Sequence, residues 1–150
     1  MIDVEVCEVE KEDYEFIEKW WMEHQGSFNI ELQSPYGLVC FMDQKPVAHC
    51  SIFLPKDSLV AQLGWVVSDP KSDRDTRDLA LTVMLGEVES YVGDMGYKYV
   101  WLGTENKALQ DRAEDHEYIG GMEMKQYWKV IKNVQQRTQL RQRLTLYRET

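Results

Sequence analysis

Cysteine is scarce in this chain, and Cys7, Cys40 and Cys50 form an odd set at spacings that suit neither a disulfide framework nor a metal motif. Reduced structural thiols are the expectation. Histidine is as thin: His24, His49 and His116 are scattered, with no pair that one helix or strand would turn onto a single metal. Metal catalysis is therefore not expected. No apolar run approaches the roughly 20 residues that a membrane span needs, and the opening "MIDVEVCEVE" is acidic and alternating, unlike a signal peptide. The expected location is the cytoplasm, with no membrane partner. Positive charge is the rarer sign, 17 Lys and Arg against 26 Asp and Glu, for a formal charge of −9. Because phosphate affinity comes from clustered Lys and Arg, this argues against nucleic-acid binding by the body of the chain. Glycine is missing from the whole of "SDPKSDRDTRDLAL", residues 68–81, a loop where it would matter.

What remains is the composition of an ordinary globular domain, 43% hydrophobic and 29% charged over 150 residues, enough for one core. The charge is uneven. Residues 132–150 carry Lys132, Arg137, Arg141, Arg143 and Arg148 against Glu149, a net of +4, which leaves −13 on residues 1–131. The division is read as a domain over 1–131 and a basic tail over 132–150. Leu140, Leu144 and Tyr147 fall on one helical stripe of that tail, which reads first as a terminal helix that packs on its own domain or frays, and second, by its charge, as a contact for a protein partner or self-association.

"IDVEVCEVE" alternates as an edge-like strand does, and "KEDYEFIEKWWMEHQG" places Phe16, Ile17, Trp20 and Trp21 at helical spacing with Gly26 as a stop. "SFNIELQSPYG" reads as a surface loop or short helix. "LVCFMDQKPVAHCSIFL" reads as a hairpin turning at "DQKP". "LVAQLGWVVS" follows as a strand, with Gly64 marking a possible bulge. The spacing next predicts a helix from about Asp75 to Met95 that buries Leu79, Val83, Val88 and Val92 and stops at Gly96. Then come a central strand in "YKYVWLG", a polar helix in "ENKALQDRAEDHEY" and a last strand in "MKQYWKVI". The five tryptophans, Trp20, Trp21, Trp65, Trp101 and Trp128, are read as core packing with one of the adjacent pair exposed. The order predicts an α+β or α/β sandwich on a mixed sheet.

That order, and the stretch from Leu63 to Ile131 in particular, resembles the GNAT acetyltransferase superfamily. "VEVCEVEKEDYEFIEKW" looks like its first strand and helix, and "GLVCFMDQKPVAHCSIFL" like its hairpin. "LGWVVSDP" is similar to its fourth strand, "YKYVWLGTENKAL" to its fifth strand and asparagine-led helix, and "EYIGGMEMKQYWKVI" to its last strands. The resemblance implies a mostly antiparallel mixed sheet with helices on both faces. It also implies acetyl-CoA as cofactor if the protein is active: the backbone of Trp65, Val66, Val67 and Ser68 pairs with the pantetheine arm, the amides around Arg74, Arg77, Asp78 and Leu79 hold the pyrophosphate, and Asn106 opens the next helix.

The chemistry of these positions departs from the family's Q/R-x-x-G-x-G/A cradle, whose glycines let backbone N–H groups close on a pyrophosphate. Starting the pattern at Arg74 puts Arg77 and Leu79 at the glycine positions, and starting at Asp73 puts Thr76 and Asp78 there. From Asp69 to Asp78 the loop carries four acids against three bases, and its carboxylates would face a dianion. Gln62 stands nearest to the family's strand carboxylate and takes no proton. His49 is the remaining candidate base, and a lone strand histidine is more often structural. Where the family has a tyrosine acid, counting from Asn106, this chain has Ala113, and Tyr118 falls at an aromatic packing position. The expectation is a GNAT fold with a degenerate acetyl-CoA site and no cofactor, acting as a structural or interaction module and resembling accessory and virion proteins of short-tailed phages, located in the host cytoplasm or the virion. The alternative is an active N-acetyltransferase.

Overall fold

The computed structural model describes residues 1–104, 106–121 and 129. The expected strand "MKQYWKVI", the helical tail and the boundary at residue 131 thus lie outside the described residues, Lys129 apart. Within them the order is β1 (Val4–Glu8), α1 (Tyr14–Glu23), β2 (Gly37–Met42), β3 (Lys45–Phe53), β4 (Val60–Ser68), α2 (Arg74–Asp94), β5 (Tyr99–Leu102) and α3 (Lys107–Asp115). The strands form one sheet in the order β1-β2-β3-β4-β5, antiparallel except for the β4–β5 pair.

The sheet is covered on both faces because its strands alternate into two cores. Leu38, Cys40, Met42, Ala48, Cys50, Ile52, Ala61 and Leu63 pack with Ala80, Met84, Leu85, Val88 and Val92 of α2. On the other face Ile17 and Trp20 of α1 pack with Val67, and Tyr14, Trp21 and Phe28 lie against them. Full burial of such a side chain is worth about 1.5–3 kcal/mol, so the two clusters supply the main driving force for folding. Cys40 and Cys50 are wholly buried within the first core, where burial pushes their thiols up to about 11 and about 12.

Local chemistry fixes the turns. Asp43 and Gln44 join β2 to β3, both with positive φ (50° and 68°), the type I′ conformation that matches strand twist. Pro46 of "DQKP" lies inside β3, beyond the turn. Helix α1 ends at Glu23, and its left-handed stop comes one residue before the expected glycine: Gln25 takes that conformation (φ 59°), and Gly26 lies against the ring of Trp21. Gly96 (φ 93°) follows α2 as predicted. The buried face of α2 is rotated from the expected one in its first half. Ala80, Met84 and Leu85 point inward and Leu79 is 39% exposed, in a helix that starts from a cap at Asp73.

Candidate functional site

Strand β4 is paired with β5 through only four residues, Val60 to Leu63, opposite Tyr99 to Leu102. From Gly64 onward β4 continues along β3 alone among the described residues, because β5 ends at Leu102, which leaves a gap beside β4 that no described strand fills. Directly after Leu63, the β3–β4 register shifts between His49 and Ser51, where β4 holds one residue more than its partner. The bulge is at Trp65, which carries a positive φ of 51°, so the residue that bends the strand is the tryptophan after the expected Gly64. The ring of Trp65 meets that of Trp21 edge to face at 5.8 Å.

The backbone edge of β4 beyond the bulge faces the gap. Asp69 N–H donates to the Val47 carbonyl, so in an antiparallel ladder the Ser68 groups, one residue away, point to the opposite edge. There the Ser68 carbonyl accepts a 2.7 Å hydrogen bond from His24 Nε2, just past the end of α1. Lys71 lies 3.3 Å from Glu23 on the same helix. Ring contact, hydrogen bond and ion pair together fasten the end of α1 along the second half of β4.

The loop into α2 is closed on itself. Asp69 accepts from the Lys71 amide at 2.9 Å, and the Asp73 carboxylate accepts from the Thr76 amide at 2.9 Å and its hydroxyl at 2.7 Å. Those bonds from Thr76 hold the Asp73 carboxyl below its ordinary range. The Arg77 amide goes to the Asp73 carbonyl. Arg74 points outward and sits 3.8 Å from Asp78. Asp78 also takes Arg112 of α3, whose guanidinium donates to its carboxylate at 2.9 Å and its carbonyl at 3.0 Å, and which is only 15% exposed in its side chain. Asn106 caps α3 by accepting from the Leu109 amide at 3.0 Å.

His49 lies away from this loop, on the α1 face of β3. It is wholly buried, the Tyr14 ring meets it edge-on at 6.1 Å, and neither ring nitrogen has a hydrogen-bond partner among the described residues. Desolvation pushes its pKa down to about 3, so the ring is neutral near pH 7 and a feeble proton acceptor. Gln62 is exposed on the neighbouring strand. Trp101 is 44% exposed, a departure from the expected core position: its ring folds over Gly103, where an added Cβ would come within 2.7 Å. Trp20 is buried as expected, and Trp128 lies outside the described residues.

No family model matches the chain, and no curated protein sequence does. Solved structures match it in shape. An aminoglycoside acetyltransferase from an uncultured soil metagenomic sample, in complex with sisomicin, is similar over 86% of this chain and 97% of its own, at 11% identity and a TM-score of 0.62. The ribosomal-protein-S18-alanine N-acetyltransferase of Escherichia coli is similar over 76% of each chain, at 15% identity and a TM-score of 0.63. A GNAT family acetyltransferase of Streptococcus pneumoniae TIGR4 is similar over 88% of this chain and all of its own, at 14% identity and a TM-score of 0.58.

The chain has the GNAT fold.

Measured against acetyl-CoA, the ligand the GNAT resemblance implies, the site divides in two. The bulged, half-paired β4 edge fits an extended amide-bearing arm, because it offers backbone groups that β5 does not use, although His24 already holds one of them. At the α2 turn the amides of Lys71 and Thr76 are taken by the carboxylates of Asp69 and Asp73, and the Asp78 carboxylate is held by Arg112. The fold places His49 directly opposite Val67 in the β3–β4 ladder, beside Trp65–Ser68, and ties Arg74–Leu79 to helix α3 through Arg112. Sequence reading missed Arg112 and His24, whose partners lie 34 and 44 residues away. The Asp73 cap was visible in principle, since Asp-x-x-Thr before a helical run is an N-terminal signature.

Proposed function

We propose that this GNAT-fold protein works as an accessory or interaction module, with its acetyl-CoA cradle given over to its own side chains. The observation that carries the reading is Asp73. Its carboxylate caps the first turn of α2, where an anion would bind, and takes the amide and hydroxyl of Thr76, two donors such an anion would use. Three further features point the same way: four acids against three bases from Asp69 to Asp78, glutamine at position 62, and a buried His49 whose lowered basicity makes it a feeble proton acceptor. The kind of role meant is that of the accessory proteins of short-tailed phages.

A second reading, N-acetyl transfer from acetyl-CoA to an amine, is favoured by one specific observation, the bulge at Trp65 just where the pairing of β4 with β5 ends. Isothermal titration with acetyl-CoA separates the two. The module reading expects no heat up to millimolar ligand and no free thiol released when amines are added. Saturable binding in the range ordinary for enzymes and their substrates, about 1 µM to 1 mM, would overturn it.

A further inference from the structure

The opposite end of α1 carries a feature that the β4 gap and the α2 loop leave unused. Tyr14, Glu15, Glu18, Phe28, Asn29 and Ile30 line a groove of about 380 Å³. The Tyr14 and Phe28 rings form one wall, with centroids 6.2 Å apart. Glu15 and Glu18 are neighbours on one face of the helix, and neither has a cationic partner among the described residues. Lys19, well spaced to serve Glu15, is placed 4.0 Å from Glu23 instead. Ile30 is 52% exposed at the rim. The stretch of chain that leads into the groove is acidic as well: residues 3–18 hold eight acids against Lys11, a net of −7, before Lys19.

Unpaired carboxylates beside aromatic rings and an exposed aliphatic residue suit a guanidinium flanked by apolar side chains. Arginine forks onto carboxylates and stacks on rings, and Ile30 and Phe28 can cover a leucine. The chain itself contains a segment of that composition. "KNVQQRTQLRQRLTLYRET", residues 132–150, has net charge +4 and places Leu140 and Leu144 among Arg137, Arg141, Arg143 and Arg148.

We infer that the groove is the seat for the basic C-terminal tail of a second copy of this chain. Groove and tail are different surfaces on one sequence, so two copies that exchange tails make the contact twice and close as a dimer. The inference is independent of the proposed function, because acetyl-CoA titration tests the one and mass in solution tests the other.

Sedimentation velocity on the full chain, over a range of concentrations and at about 0.05 M and about 1 M salt, tests it. A dimer that weakens at high salt is expected. Glu15→Gln with Glu18→Gln, on an exposed face where folding is not at risk, is expected to raise the dimer dissociation constant about fivefold to tenfold, and Arg141→Gln with Arg143→Gln to do the same. A charge swap, Glu15→Arg and Glu18→Arg combined with Arg141→Glu and Arg143→Glu, should restore association. Ile30→Glu should weaken it at either salt. A monomer at every concentration would leave the groove to the chain's own tail or to a foreign basic segment and overturn the inference. So would a dimer indifferent to the groove and tail substitutions.

Discussion

Replacing His49 by leucine should stabilise the protein, and increasingly so as the pH falls. The wild-type ring is wholly buried with neither nitrogen bonded among the described residues, and burial holds its pKa at about 3 against an ordinary 6.5. A buried polar atom left unsatisfied costs about 1–3 kcal/mol, and leucine is apolar and of similar size. His49→Leu should therefore match or exceed the wild type at pH 7.5. Between pH 6.5 and 3 the unfolded chain binds a proton at this histidine and the folded chain does not, so wild-type stability falls with pH across that window and the loss is complete below it. At pH 4.5, two units below the unfolded pKa, the loss amounts to about 2.7 kcal/mol at 1.36 kcal/mol per unit. Carboxylates titrate in both proteins and cancel in the difference. Urea unfolding of both proteins at pH 7.5 and 4.5 measures it, with the gap expected to widen by up to that amount. Parallel pH dependence would refute the reasoning. So would a variant much weaker than wild type at pH 7.5, because it would mean that the ring nitrogens are bonded after all.

Arg112→Met keeps the aliphatic stem and removes the guanidinium that ties α3 to the start of α2, leaving Asp78 to Arg74. The expected loss is about 1–3 kcal/mol, with faster amide hydrogen exchange over Lys107–Asp115, and unchanged exchange there would contradict the clasp. Gly37 opens β2 against Cys50, and an added Cβ would lie 2.5 Å from the Cys50 carbonyl oxygen and 3.3 Å from His49 Nε2. Since one of the atoms it meets is backbone, Gly37→Ala should cost about 1–3 kcal/mol in chemical denaturation, and a variant as stable as wild type would show that the strand ends yield easily.

Periodicity exposed the elements whose causes are local. Alternation in β1, the Ile17–Trp20 face of α1, the β2–β3 hairpin and the Gly96 stop were all legible, because each depends on residues within a turn or two of one another. The first half of α2 was misphased because Leu79, the more apolar residue, yields the inside position to Ala80, and only the approach to the sheet decides that. Trp65 was read as packing and Gly64 as the bulge, on the general rule that glycine takes positive φ. The fold instead places the tryptophan there and meets its ring with Trp21. In the candidate site the missing glycines and the charge of the α2 loop could be read from the chain. That Asp73 turns inward as a cap, that Arg112 claims Asp78, and that His24 reaches Ser68 are facts of tertiary placement with no local trace beyond Asp-x-x-Thr.

The extra residue at Trp65 makes β4 a strand written in two reading frames. Ala61 and Leu63 serve the α2 core, and by simple alternation Val67 would follow them, yet it serves the α1 core while Val66 turns toward α2. One inserted residue has exchanged the faces of everything after it. Both cores thus draw on a single strand, and the path into the Asp69–Asp73 loop is set by the same slip. Deleting residue 65 would straighten the strand and leave Val66 and Val67 on their present faces, whereas inserting one further residue there would present the rest of the strand to the wrong core.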